Sequence, residues 1–213
     1  MHNCIFTPHC IEKICDKSCP ILVETSYLLE RNDISMNSKV FRETPSSFST
    51  ETALDVLEVA NKNSTCWVSC SKGQDTVDIS QYLTYCAICQ NWQGSRLHCV
   101  VYNLKYGSYI NAVKQSWSLK DEPDNLQYIK IWAETAKVLV ISNMDYVNFN
   151  DFECQTLLSL LQNRKQQGKS TILVTPQFAD LVGKSVFKEH LRRIYSDNKY
   201  IIKSPLGPGG DNR

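Results

Sequence analysis

The sequence predicts an α/β fold, a mostly parallel sheet covered by helices on both faces, and three observations carry that reading. From about residue 50 onward, short apolar runs alternate with longer stretches of helical periodicity. The alternation of single strands with helices leaves room for crossovers between parallel strands rather than for hairpins. The chain has 213 residues, 42% of them hydrophobic and 21% charged, enough to bury a sizeable core.

The chain opens on a cysteine cluster. Four of its ten cysteines fall in the first 19 residues, as Cys4, Cys10, Cys15 and Cys19, with His9 beside Cys10 as an alternative ligand. In a reducing compartment such clustering points to metal before disulfide. Four thiolates satisfy a tetrahedral Zn²⁺, and full protein coordination leaves no open position for water, so the expected role is structural. The spacing matches neither a paired CxxC ribbon nor a Cys2His2 finger. Pro20 then sits where a helix can begin, and Ile21, Leu22, Thr25, Leu28 and Leu29 recur at helical spacing. Residues 1–31 are therefore read as a small zinc segment with its helix. Residues 32–49, rich in Ser, Thr and Asn without sustained periodicity, are read as a linker.

The α/β domain is expected over 50–203. Glu51 to Asn61 reads as an amphipathic helix with Leu54, Leu57 and Val56 or Ala60 inward, and Ser49 or Thr50 as its N-cap. Strands follow at Cys66–Cys70, 97–102, Val138–Ile141, Thr171–Val174 and Tyr200–Ile202, with helices between them near 77–92, 107–117, 124–135, 151–167 and 178–194. Arg164 and Lys165 read as cations at a helix C-terminus, with Gly168 as the residue that ends it. The last ten residues, 204–213, carry Pro205, Gly207, Pro208, Gly209 and Gly210 and are expected to be a mobile tail. Cys86 and Cys89 form a CxxC inside a helix rather than at its start, which suits core packing more than redox chemistry. Cys66, Cys70, Cys99 and Cys154 lie in or beside apolar segments and read as small buried hydrophobes.

Charge narrows the function. Lys and Arg number 23 against 22 Asp and Glu, a net charge of +1, so no whole-molecule field draws the chain to nucleic acid or acidic lipid. No apolar run approaches the roughly 20 residues of a transmembrane helix, and no signal peptide is visible, so a cytoplasmic protein is expected. Local nucleic-acid contact remains open through basic residues interleaved with aromatics: Lys105 with Tyr102, Tyr106 and Tyr109, and Lys114 with Trp117. No GxSxG, HExxH or GxGxxG is present. His98 and Cys99 are adjacent, so on a strand they point to opposite faces and form no dyad, and His190 beside Arg192 and Arg193 reads as solvated.

The strand-loop-helix at Cys66 to Asp78 is where a phosphate-binding loop would sit. Such a loop needs GxxxxGK[ST], glycines for backbone cradling, Lys for phosphate charge and a hydroxyl for Mg²⁺. Here Lys72, Gly73 and Thr76 are what remains, Asp75 repels phosphate, and Thr76-Val77 stand in place of Lys-Ser/Thr. On the later strand, Ser142 and Asn143 stand where paired acids would organise Mg²⁺. Nucleotide hydrolysis is therefore not expected, nor is ATP as a cofactor.

Three stretches carry a resemblance: Lys137-Val138-Leu139-Val140-Ile141-Ser142-Asn143-Met144-Asp145-Tyr146, the helix ending Leu161-Gln162-Asn163-Arg164, and Ser170-Thr171-Ile172-Leu173-Val174-Thr175-Pro176. With them, residues 64–195 resemble the AAA+ module of bacterial and phage replicative-helicase loaders of the DnaC/DnaI type. The resemblance implies an AAA+/P-loop-like three-layer core, with Thr175 at the polar sensor position and Arg192 or Arg193 near an arginine finger, hence partner-binding. It implies a degenerate relative that acts by binding in phage or mobile-element DNA replication. The implied partners are a replicative helicase, an active loader subunit or single-stranded DNA, with joining an oligomer among the outcomes. By the same analogy Cys4 to Cys19 would be a zinc-bearing docking segment. An interaction protein unrelated to replication is the other class that the sequence leaves open.

Overall fold

The computed structural model describes residues 28–34, 48–70, 76–91, 101–117, 124–144, 150–176 and 186–201. Their elements run α1 (Thr50–Asn63), β1 (Thr65–Cys70), α2 (Thr76–Asn91), β2 (Val101–Lys105), α3 (Tyr106–Ser116), α4 (Asp124–Thr135), β3 (Val138–Ser142), α5 (Asp151–Gln166), β4 (Ser170–Pro176), α6 (Val186–Asn198) and β5 (Lys199–Ile201). The strands form one sheet in the order β2-β3-β4-β1-β5, and every pairing is parallel.

Because successive strand residues point to opposite faces, the sheet divides the core in two. Cys66, Val68 and Cys70 of β1 join Val138, Val140, Ile172 and Val174 in the cluster under α1 and α2. Trp67, Leu139, Ile141 and Leu173 face the other way, into the cluster with α3, α4, α5 and α6. Both faces are covered, as an all-parallel sheet requires, and the expected α/β class is what the chain adopts.

The helix boundaries follow local chemistry. Ser49 caps α1 by accepting from the Thr52 N–H at 3.1 Å. α5 starts in a reciprocal capping box, Asn150 Oδ1 accepting from the Glu153 N–H at 3.0 Å and the Glu153 carboxylate accepting from the Asn150 N–H at 3.3 Å. It ends at Gln167 with Gly168 at φ 64°, a left-handed turn that suits glycine.

Three element readings are corrected. Leu54 does not point inward; it is 38% exposed, while Ala53, Val56, Leu57 and Ala60 form the buried face. The spacing of those four residues makes a continuous stripe at i, i+3, i+4 and i+7, and Leu54 lies one residue, about 100°, off its edge. β2 continues through Asn103, Leu104 and Lys105, beyond the expected end at Tyr102, and α3 follows with no intervening loop. The polar Asn103 disguised the strand because β2 is an edge strand whose outer side is covered by another segment. The last described helix, α6, reaches Asn198 rather than ending at 194.

That covering segment comes from the range read as helix and linker. Leu29, Asn32, Ile34 and Phe48 are all buried. Asn32 Oδ1 accepts from the Asn103 N–H at 2.5 Å, and its Nδ2 donates to Leu28 O at 2.7 Å and Val101 O at 3.4 Å. One carboxamide thus stands in for a neighbouring strand and closes part of the open edge of β2.

Candidate site at the carboxyl ends of the strands

The topology places a crevice between β1 and β4. From β1 the chain passes over β4 and β3 to reach β2 at the far edge, whereas from β4 it passes over β1 to β5. The two connections leave in opposite directions, and such a switch point is where open α/β sheets bind ligands. Ser69 is in register with Thr175 and Cys70 with Pro176, marking the floor of the crevice.

The residues expected there divide between described and undescribed positions. Lys72 and Gly73 lie outside the described residues, as do Asp145, His98 and Cys99. Thr76 is the first residue of α2 and is partly buried, with Asp78 two positions on in the same first turn. A carboxylate at a helix N-terminus complements the macrodipole and competes with any anion approaching it.

Thr175 is held inside the protein. It is fully buried, and its Oγ1 accepts from the Trp67 indole N–H at 2.8 Å. Trp67 is itself fully buried and meets the Tyr195 ring of α6 edge-on at 5.4 Å. With Thr175 at 0% exposure, its hydroxyl is bonded to an indole in the core. Ser142 is 3% exposed and its hydroxyl donates to Asn103 Oδ1 at 3.2 Å, toward β2 and away from β4. Asn143 follows at φ 54°, a left-handed conformation that Asn tolerates better than most residues. Among the described residues, those closing β1 and β3 carry no carboxylate: Cys70, Ser142, Asn143 and Met144 stand there.

Arg192 and Arg193 lie on the outer side of α6, opposite the buried Leu191. Both share Glu189, Arg192 Nη1 at 3.3 Å and Arg193 Nε at 3.7 Å, with side chains 44% and 70% exposed. Exposed pairs of this kind are weak, so both guanidiniums can be taken up by another surface. His190 is exposed beside them, as expected.

The cysteine readings in the domain hold where they are described: Cys66, Cys70, Cys86 and Cys154 are buried and Cys89 is partly so. Burial pushes the Cys66 and Cys86 thiols up to about 12, which keeps them protonated and unreactive at neutral pH. Cys4, Cys10, Cys15, Cys19 and His9 lie outside the described residues. Among the described residues no group of His, Cys, Asp and Glu is placed to hold a metal, and no helix is long and apolar enough to cross a membrane.

Sequence reading placed Arg164 at the helix C-terminus but missed its burial. It stands in the last turn of α5 as expected, but it is fully buried, donating through Nε to Thr171 Oγ1 at 2.8 Å, through Nη1 to Ala133 O at 2.8 Å and Ala136 O at 2.9 Å, and through Nη2 to Ser170 O at 2.6 Å. Burial lowers its pKa to about 10, so it stays charged at neutral pH. The one signal available was its neighbours: Leu157, Leu160 and Leu161 put residue 164 on the inward stripe of the helix.

No protein-family model matches the chain, and no curated protein matches it. Solved structures do. A DNA replication initiation factor superposes with a TM-score of 0.52 at 12% identity, over 72% of this chain and 46% of that one. The replication initiator DnaA bound to AMPPCP and single-stranded DNA gives 0.52 and 12% over the same shares, 72% and 46%. AMPPCP-bound DnaA from Aquifex aeolicus gives 0.53 and 11%, over 75% and 51%. At this identity the likeness shows the fold alone, a five-stranded parallel sheet with flanking helices. The chain matches about half the length of each of these proteins.

Proposed function

We propose that this chain is a non-hydrolysing AAA+-like adaptor or regulator in DNA replication, acting in the cytoplasm by binding other proteins. The observation that carries the proposal is the end of β3, where Ser142 and Asn143 occupy the acid positions of a nucleotide-hydrolysing sheet and Ser142 is bonded toward β2. Neither residue is a general base or a strong ligand for a hard cation. The burial of Thr175 under Trp67 supports the same reading, since the polar sensor position is turned into core.

In this proposal Arg192 and Arg193 engage the partner, a replicative helicase or active loader subunit, and Cys4, Cys10, Cys15 and Cys19 hold a structural Zn²⁺. Zinc bound by four thiolates would supply the folding free energy that a segment so short lacks.

The test is native mass spectrometry of the full chain with and without Mg-ATP and a chelator, followed by co-assembly with helicase and loader. One zinc lost to chelator, no ATP adduct and loss of co-assembly in the Arg192→Ala, Arg193→Ala double variant are expected. A stoichiometric ATP complex that turns over would overturn the proposal.

A second reading has one observation behind it: one of the similar DnaA structures is bound to single-stranded DNA. If this chain binds single strands through Lys and aromatic side chains, affinity must fall steeply as salt rises. A salt titration with oligo(dT) decides between that reading and binding through protein surfaces alone.

A further inference from the structure

We draw no further inference here: the strongest candidate, the surface patch where the exposed Trp117 ring beyond the end of α3 meets Phe152 of α5 edge-on at 5.1 Å, carries nothing, because nothing in the structure shows what covers it.

Discussion

At the amino ends of β3 and β4 a single cation gathers the polar backbone, whereas toward their carboxyl ends polar side chains each close a single separate bond. Arg164 ties Ala133, Ala136, Ser170 and Thr171 together, and Ser170 Oγ also donates to Asn61 Oδ1 at 2.8 Å. At the other end the Ser142 hydroxyl meets the Asn103 side chain, the Asn103 backbone N–H meets the Asn32 carboxamide, and Thr175 meets Trp67. The amino end is a joint with many dependents, so its failure spreads. The carboxyl end is a set of small local closures, each replaceable, at the place where a ligand-binding sheet keeps its reactive groups.

The largest expected effect breaks the amino-end joint. Arg164→Met removes four charge-assisted bonds and leaves three carbonyls of Ala133, Ala136 and Ser170 without the donor they now share. A loss of about 3–5 kcal/mol is expected in urea unfolding. Arg164→Lys should recover less than half of it, because an ammonium is a point charge that cannot reach acceptors spread around a planar fork. A cost below about 1 kcal/mol for the Met variant would erase the contrast between the two ends.

Next comes the cap on the edge strand. Asn32→Leu keeps the buried volume but leaves the Asn103 N–H and Val101 carbonyl without their side-chain partner, at about 1–3 kcal/mol. Hydrogen exchange locates the effect: the Asn103 amide should lose protection while amides of β4 keep theirs. If Asn103 stays protected, something other than Asn32 closes the edge.

Thr175→Val should cost about 1–2 kcal/mol, because the buried Trp67 indole N–H then loses its Thr175 acceptor. Thr175→Ser should cost less, since the acceptor stays. Under a sensor role the Val variant would instead change nucleotide behaviour at constant stability, and a shift in Mg-ATP binding without a change in unfolding midpoint would show that.

How far the sequence carried the fold is clearest at the sheet. Val138 to Ile141 and Thr171 to Val174 were legible because a strand buried on both faces has an apolar run with few alternatives. β2 was read only in part, since Asn103 and Lys105 owe their place in a strand to Asn32 and Asp33, about 70 residues away. The same holds for Arg164, whose burial depends on carbonyls from α4 and β4 that local pattern does not reveal. At the candidate site the absences at Ser142 and Asn143 could be read directly from residue type. The partner of Thr175 could not, because the bond from Trp67 crosses between two strands 108 residues apart in the chain.

Ser142→Ala is the smallest change and the sharpest on the comparison. The hydroxyl makes one bond of 3.2 Å to a neutral acceptor that is itself only partly buried, so its removal should cost within about 1 kcal/mol. Asn143→Ala, at φ 54°, should cost a similar amount for a different reason, the backbone strain that Asn tolerates and Ala does not, and Asn143→Gly should relieve it. If these two positions are only local closures, affinity for the protein partner stays constant across all three variants while stability moves by these small steps. A tenfold fall in partner affinity at unchanged stability would instead put the end of β3 on the binding surface, because a side chain bonded inward toward Asn103 can weaken a partner at constant stability only by touching it.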